Sequence, residues 1–249
     1  AKQGFVNLGI VRQELGDLKG AREAYERALQ LAPDIPEILY NLGSVLEQQG
    51  QKDEAEKLYT RLLVKNADWE DAWFRLGYLR LTRGDHHGGA EAFDACLRKR
   101  NSWPEALVNL GLSYWKIGDR ESARRTYEQA LESQSDSVDA LRGLAALAIE
   151  RSDYEQALDY QARLIDLGER SPELFYNTGL LLQKSGQVED AIRLYKEALA
   201  ERPNFAEALL NLGHALKAKG QQEEARGYWK QALEAKPELA QGYFEPVHN

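Results

Sequence analysis

An all-α chain of repeated helical hairpins is predicted by three columns in the sequence. Leu-Gly pairs recur at Leu8-Gly9, Leu42-Gly43, Leu76-Gly77, Leu110-Gly111 and Leu212-Gly213, always in steps of 34 residues or a multiple of it. The same register holds Leu144-Ala145 and Thr178-Gly179. A second column reads Gly16, Gly50, Gly84, Gly118, Ser152, Gly186 and Gly220. A third couples a small residue to a large one four places later: Ala21 to Tyr25, Ala55 to Tyr59, Gly89 to Phe93, Ala123 to Tyr127, Ala157 to Gln161, Ala191 to Tyr195 and Ala225 to Trp229. Three places further stand Ala28, Leu62, Cys96, Ala130, Leu164, Ala198 and Ala232. A fixed period of this length marks a stacked array in which each repeat is one supersecondary element.

The register divides the chain into seven repeats, 2–35, 36–69, 70–103, 104–137, 138–171, 172–205 and 206–239, leaving 240–249 as a partial capping helix and tail. Each half of a repeat follows the i, i+3, i+4, i+7 rhythm of a helix, as in Leu39, Leu42, Gly43 and Leu46, or Tyr25, Ala28 and Leu29. In the first repeat Gly16 ends the first helix, where a left-handed residue is easiest for glycine, and Asp17 can start the second. The second, fourth and sixth repeats open on Pro36, Pro104 and Pro172, at a position where no amide hydrogen is missed. Pro33, Pro203 and Pro237 lie at repeat ends, so no proline interrupts a helix. The third repeat carries Gly88-Gly89 at its second helix, preceded by His86-His87 in the turn. The fifth departs furthest, with Ala145, Ser152 and Gln161 where Gly, Gly and Tyr are the rule. The seventh leads into Tyr243 and Phe244, which a short helix over 238–245 would place against it. Glycine inside a helix lowers propensity, so the Gly9 and Ala21 columns are expected to mark helix crossings.

Composition narrows the function. Lys plus Arg is 32 against 40 Asp plus Glu, a formal charge of −8. That balance lacks the basic footprint of a nucleic-acid binder. The longest apolar stretch, Leu141 to Ile149, contains Arg142, so no membrane insertion is expected. Neither a leader nor an internal disulfide is expected: no basic segment precedes an apolar one, and Cys96 is alone. Methionine is absent even at residue 1, which suggests a piece of a longer or processed protein. A soluble location is expected, cytoplasmic ahead of periplasmic. Cys96 reads as a buried small residue. His86-His87 lack the i, i+4 spacing of a helical metal pair. No metal, cofactor or catalytic site is expected.

The columns resemble the tetratricopeptide repeat pattern W-x2-L-G-x2-Y, A-x3-F, P. Trp73-Leu76-Gly77 and Leu107-Leu110-Gly111-Tyr114 match its first half, and Ala21-Tyr25-Ala28-Pro33 its second. The resemblance implies a right-handed superhelical solenoid of helix-turn-helix repeats. First helices would line a concave groove that binds protein or peptide partners. Between the packing columns of those helices stands Asn7, Asn41, Arg75, Asn109, Gly143, Asn177 and Asn211. Asparagine offers a donor and an acceptor together and can pair with a peptide backbone. The row is similar to the asparagine ladder of O-GlcNAc transferase and kinesin light chain repeats.

Neighbouring groove slots hold Tyr40, Phe74, Arg142 and Tyr176, and one turn on Tyr78, Leu112 and Leu180, with Trp115 following. Part of this apolar set would pack between first helices. The rest would meet an extended or short helical peptide, with Arg75 and Arg142 free to pair with an acid on it. The Lys-Asn pairs of a carboxylate clamp are missing. Acids at first-helix starts, Glu37, Asp71, Glu105, Asp139, Glu173 and Glu207, suit the helix macrodipole; an electrostatic filter at the groove edge is the alternative. The expected function is a non-catalytic interaction scaffold. Two other readings stand: the substrate-recruiting region of a larger enzyme such as a glycosyltransferase, and a scaffold that self-associates through its array ends.

Overall fold

The computed structural model describes residues 2–239. The segment 240–249, including the expected capping helix with Tyr243 and Phe244, lies outside them. Fourteen α-helices and no strand occur among the described residues. They form two compact units, one ending at Ser137 and one beginning at Val138. The N-terminal unit contains α1 (Lys2–Glu14), α2 (Leu18–Leu31), α3 (Pro36–Gln48), α4 (Lys52–Lys65), α5 (Glu70–Arg83), α6 (His86–Leu97), α7 (Pro104–Ile117) and α8 (Arg120–Ser133). The C-terminal unit contains α9 (Val138–Glu150), α10 (Tyr154–Asp166), α11 (Pro172–Lys184), α12 (Val188–Glu201), α13 (Ala206–Ala218) and α14 (Gln222–Ala235). Within each unit every odd-numbered helix packs on the even-numbered helix after it, and each such hairpin packs on the next.

Local chemistry sets the helix ends. Pro36, Pro104 and Pro172 occupy the first turns of α3, α7 and α11. Asp17, Asp85, Asp119 and Asp153 cap α2, α6, α8 and α10, each carboxylate accepting the amide three residues on at 2.9–3.3 Å. At Gly84 the chain turns left-handed (φ 92°) and the Asp85 amide reaches back to the Arg80 carbonyl at 2.9 Å, closing α5. Ser152 takes the same turn at φ 60°, the one non-glycine residue with positive φ among those described. His86 and His87 belong to the first turn of α6 rather than to the turn before it, because the Asp85 cap starts the helix there.

The Leu-Gly column is the crossing point of each hairpin, as its glycines suggested. A Cβ added at Gly43 would lie 2.7 Å from the Tyr59 ring, at Gly179 2.7 Å from Tyr195, and at Gly77 2.9 Å from Phe93. Each ring occupies the space where a side chain would otherwise be. Tyr25, Tyr59, Phe93 and Tyr195 are fully buried in consequence. Where the glycine is replaced by Ala145, the ring is replaced by Gln161. That exchange leaves Gln161 Oε1 buried without a hydrogen bond among the described residues. Cys96 is fully buried, as expected, and burial pushes its thiol up to about 12.

Candidate functional site

The odd-numbered helices of each unit stand side by side, and polar side chains touch across them. Gln13 of α1 donates to Ser44 of α3 at 3.4 Å. Arg75 of α5 pairs with Glu47 of α3 at 3.3 Å. In the C-terminal unit Asn211 of α13 donates to the Tyr176 hydroxyl of α11 at 3.1 Å. α5 also meets α7, and Ala148 of α9 packs with Leu181 of α11, so the first helices of each unit form one row: α1, α3, α5 and α7 in the first, α9, α11 and α13 in the second.

The asparagines differ in what they do on these faces. Asn109 and Asn211 each turn their amide NH2 to the carbonyl four residues back, Glu105 or Glu207, at 2.9 Å. Their side-chain oxygens accept no hydrogen bond among the described residues. Asn7 is exposed and accepts from Gln3 at 3.1 Å. Asn41 is half-buried and Asn177 exposed, and neither makes an internal hydrogen bond among the described residues.

The aromatic slots divide into two groups. Tyr40, Phe74 and Tyr176 are taken up by packing. Each touches the large residue of its own hairpin and an aromatic just before the next first helix. Tyr40 lies 5.8 Å from Tyr59 and 5.9 Å from Trp69, Phe74 5.7 Å from Phe93 and 4.5 Å from Trp103. Tyr176 lies 6.0 Å from Tyr195 and 4.9 Å from Phe205. Leu180 packs into the same cluster as Tyr176. Leu112 packs into one cluster with Phe74. On the other side of the division Tyr78 is 44% exposed and Trp115 is half-buried. Lys116 and Arg120 lie over the Trp115 ring, at 4.8 and 5.6 Å. Ile10, on the same face of α1, is 39% exposed.

Both arginines already have internal acids. Arg75 holds Glu47, and the Tyr40 hydroxyl lies against the same guanidinium. Burial raises the Glu47 carboxyl above its usual range, and Arg75 draws it part of the way back. Arg142 pairs with Asp139 at 3.4 Å and with Glu169. Each arginine thus has an acid partner on its own face while its side chain stays partly exposed.

A further polar layer lies beneath this face and was not anticipated. The Tyr25 hydroxyl donates to Gln13 at 3.2 Å, and the Tyr195 hydroxyl to Gln183 at 2.7 Å. Tyr59 abuts Glu47, and burial followed by that carboxylate raises its hydroxyl far above the usual range. Phe93, with no hydroxyl, has Leu81 in the corresponding place, and Trp229 has the Lys217 ammonium 5.7 Å from its ring. Matching the residue twelve positions before each ring with the ring's chemistry would have revealed this layer.

The acids at first-helix starts behave differently in the two units. Asp139, Glu173 and Glu207 are each paired, with Arg142, Arg202 and Lys236. A backbone amide and then Arg202 hold the Glu173 carboxyl below its usual range, as a helix N-terminus should. Glu37, Asp71 and Glu105 are exposed and in no ion pair among the described residues.

The family profile described as "Tetratricopeptide repeat" matches residues 6–71, 48–106 and 108–172, and a second profile of that description matches 206–239. The chain belongs to the tetratricopeptide repeat family. A further profile, "TPR repeat", matches 179–220. Among solved structures the chain is similar to a tetratricopeptide repeat protein from Parabacteroides merdae, at 22% identity over 96% of both chains with a TM-score of 0.66. It is similar to the MamA protein at 26% identity, over 72% of this chain and 98% of that one, TM-score 0.61. It is also similar to YrrB, described as a TPR protein with an unusual peptide-binding site, at 20% identity over 72% and 92%, TM-score 0.65. Among curated proteins no relative matches. The tetratricopeptide repeat fold is that of protein–protein interaction scaffolds, and no helix among the described residues is long and apolar enough to cross a membrane.

Proposed function

We propose that this tetratricopeptide repeat chain is a non-catalytic adaptor that holds an extended or short helical segment of another protein against its first-helix faces. The observation that carries the reading is the asparagine row. The side chains of Asn41 and Asn177 make no internal hydrogen bond among the described residues, and Asn109 and Asn211 keep their side-chain oxygens unengaged there. Exposed Tyr78 with half-buried Trp115 supplies the apolar component in the N-terminal unit, with the outer edge of packed Leu112 beside them. The peptide-binding description of YrrB, a protein of the same fold, agrees with this use.

Each asparagine contact contributes about 0.5–1.5 kcal/mol net. A few buried apolar side chains add about 1.5–3 kcal/mol each. Ordering a flexible segment offsets much of that, so affinity near the micromolar level, about −8 kcal/mol, is expected. The test is affinity capture from native lysate with the wild type beside Asn41→Ala/Asn109→Ala/Asn177→Ala. A partner held by the first and lost by the second supports the reading. Loss of no partner on substitution, or recovery of only the protein itself, would overturn it.

A further inference from the structure

The C-terminal unit has a second groove, between its even-numbered helices. It holds about 670 Å³, with α10 and α12 as walls and Phe175, Thr178 and Leu182 of α11 as floor. Two small residues deepen it. Thr178 stands in a column where the other six repeats carry leucine. Ala162, exposed on the α10 wall, stands where the other repeats carry Glu26, Thr60, Asp94, Glu128, Lys196 and Lys230.

The walls have a repeating chemistry. Leu158 and Ile165 form an apolar rail along α10, seven residues apart, and half-buried Leu194 faces them from α12. Asp159 and Asp166 form a parallel acidic rail with the same spacing. On the α12 wall the acids are matched, Asp190 by Arg193 at 2.9 Å and Glu197 by Arg170 at 3.7 Å. Asp159 and Asp166 are in no ion pair among the described residues, and Arg163 between them does not line the groove. The corresponding groove between α4 and α6 lacks this imbalance. There Arg80 is among the lining residues and pairs with Glu56 at 3.2 Å, and Lys99 pairs with Asp68 at 2.9 Å.

We propose that the groove between α10 and α12 docks an amphipathic helix of a partner protein, with two Lys or Arg side chains seven residues apart set against Asp159 and Asp166. Seven residues are two helical turns, about 10.5 Å, so a guest helix lying along α10 presents its cations at the spacing of the two carboxylates. Its apolar stripe, at the intervening i+3 and i+4 positions, enters the space left by Ala162 and Thr178. Helix-in-groove recognition of this kind reads apolar anchors for affinity and flanking charge for orientation. The site contains none of the asparagines of that row, and its walls are second helices.

The probe is a fluorescein-labelled synthetic amphipathic helix of about 18 residues, five turns, with leucines on one face and lysines at two flanking positions seven apart. Binding is read by fluorescence anisotropy, and circular dichroism verifies that each protein variant is folded. Wild type binds the probe, and Ala162→Arg weakens it about tenfold or more by filling the groove. Asp159→Lys/Asp166→Lys also weakens it and gains affinity for the peptide carrying Glu at the two lysine positions. Asn41→Ala/Asn109→Ala/Asn177→Ala leaves it unchanged. Absence of binding to wild type, equal affinity across the groove variants, or loss in the asparagine variant would overturn the proposal.

Discussion

Alanine at Gly43 tests the packing logic of the repeats, because two known effects oppose each other there. Replacing glycine in a helix interior by alanine gains about 1 kcal/mol of propensity. At Gly43 the new Cβ would lie 2.7 Å from Tyr59 Cε1 and 2.8 Å from Cζ. Carbon atoms in contact prefer about 3.5–4.0 Å. Tyr59 cannot yield easily, since it is fully buried and its ring rests against Tyr40 at 5.8 Å. Overpacking of this kind costs about 1–3 kcal/mol, occasionally more. The overlap wins, and Gly43→Ala is expected to destabilise the α3–α4 hairpin by about 1–2 kcal/mol net.

Gly227 supplies the control. It lies in α14 with nothing within 4 Å of an added Cβ, so Gly227→Ala stabilises by about 0.5–1 kcal/mol. The fifth repeat, with Ala145 and Gln161, supplies the compensated state. Once Tyr59→Gln has removed the ring, Gly43→Ala should turn from destabilising to stabilising, a coupling of about 2–3 kcal/mol. Stability in an array is carried by repeats and their nearest-neighbour interfaces. The assay is therefore amide hydrogen exchange of α3 and α4 in the four proteins of the cycle. Stabilisation by Gly43→Ala in the wild-type background, equal to that at Gly227, would refute the reasoning.

Ser152→Gly should stabilise the α9–α10 turn by about 1 kcal/mol, since serine there adopts the left-handed region at φ 60°; thermal melting reads the gain. Ala145→Gly/Gln161→Tyr should slow exchange in α9 and α10, because it removes a buried unpaired amide oxygen that costs about 1–3 kcal/mol; faster exchange would count against the repeat logic. Glu47 has a raised pKa, so the fold favours its protonated form. That contribution is complete below the ordinary value of 4.5 and is lost as pH rises through the higher folded value. Glu47→Gln should accordingly remove part of the decline in stability above pH 4.5, seen as a difference between the urea-unfolding curves of the two proteins.

The helices were legible because glycine, proline and aspartate mark their ends chemically. Pro36 and Asp17 act locally, and no tertiary contact competes with them. The crossings were legible because Gly43 and Tyr59 repeat as a pair. The division of the aromatic slots was not. Phe74 and Tyr78 look equivalent along one face of α5, and only the partner 29 residues after Phe74, Trp103, separates them. The same pairing links Tyr40 to Trp69 and Tyr176 to Phe205, a second periodic signal spanning two repeats. The internal acids of the arginines, Glu47 and Glu169, were not legible because they stand 28 and 27 residues away in sequence. The groove between α10 and α12 depends on what is missing at Thr178 and Ala162, and a missing side chain leaves little trace in a pattern search.

Site-specific photo-crosslinking tests the central claim, that the first-helix faces hold the partner, most directly. A benzophenone amino acid is placed singly at Tyr78 and Leu112 on the first-helix face, and at exposed Leu31 and Val64 on α2 and α4. The protein captured from lysate should crosslink through positions 78 and 112 and not through 31 or 64. Crosslinking confined to 31 and 64 would contradict the account and move recognition to the second helices.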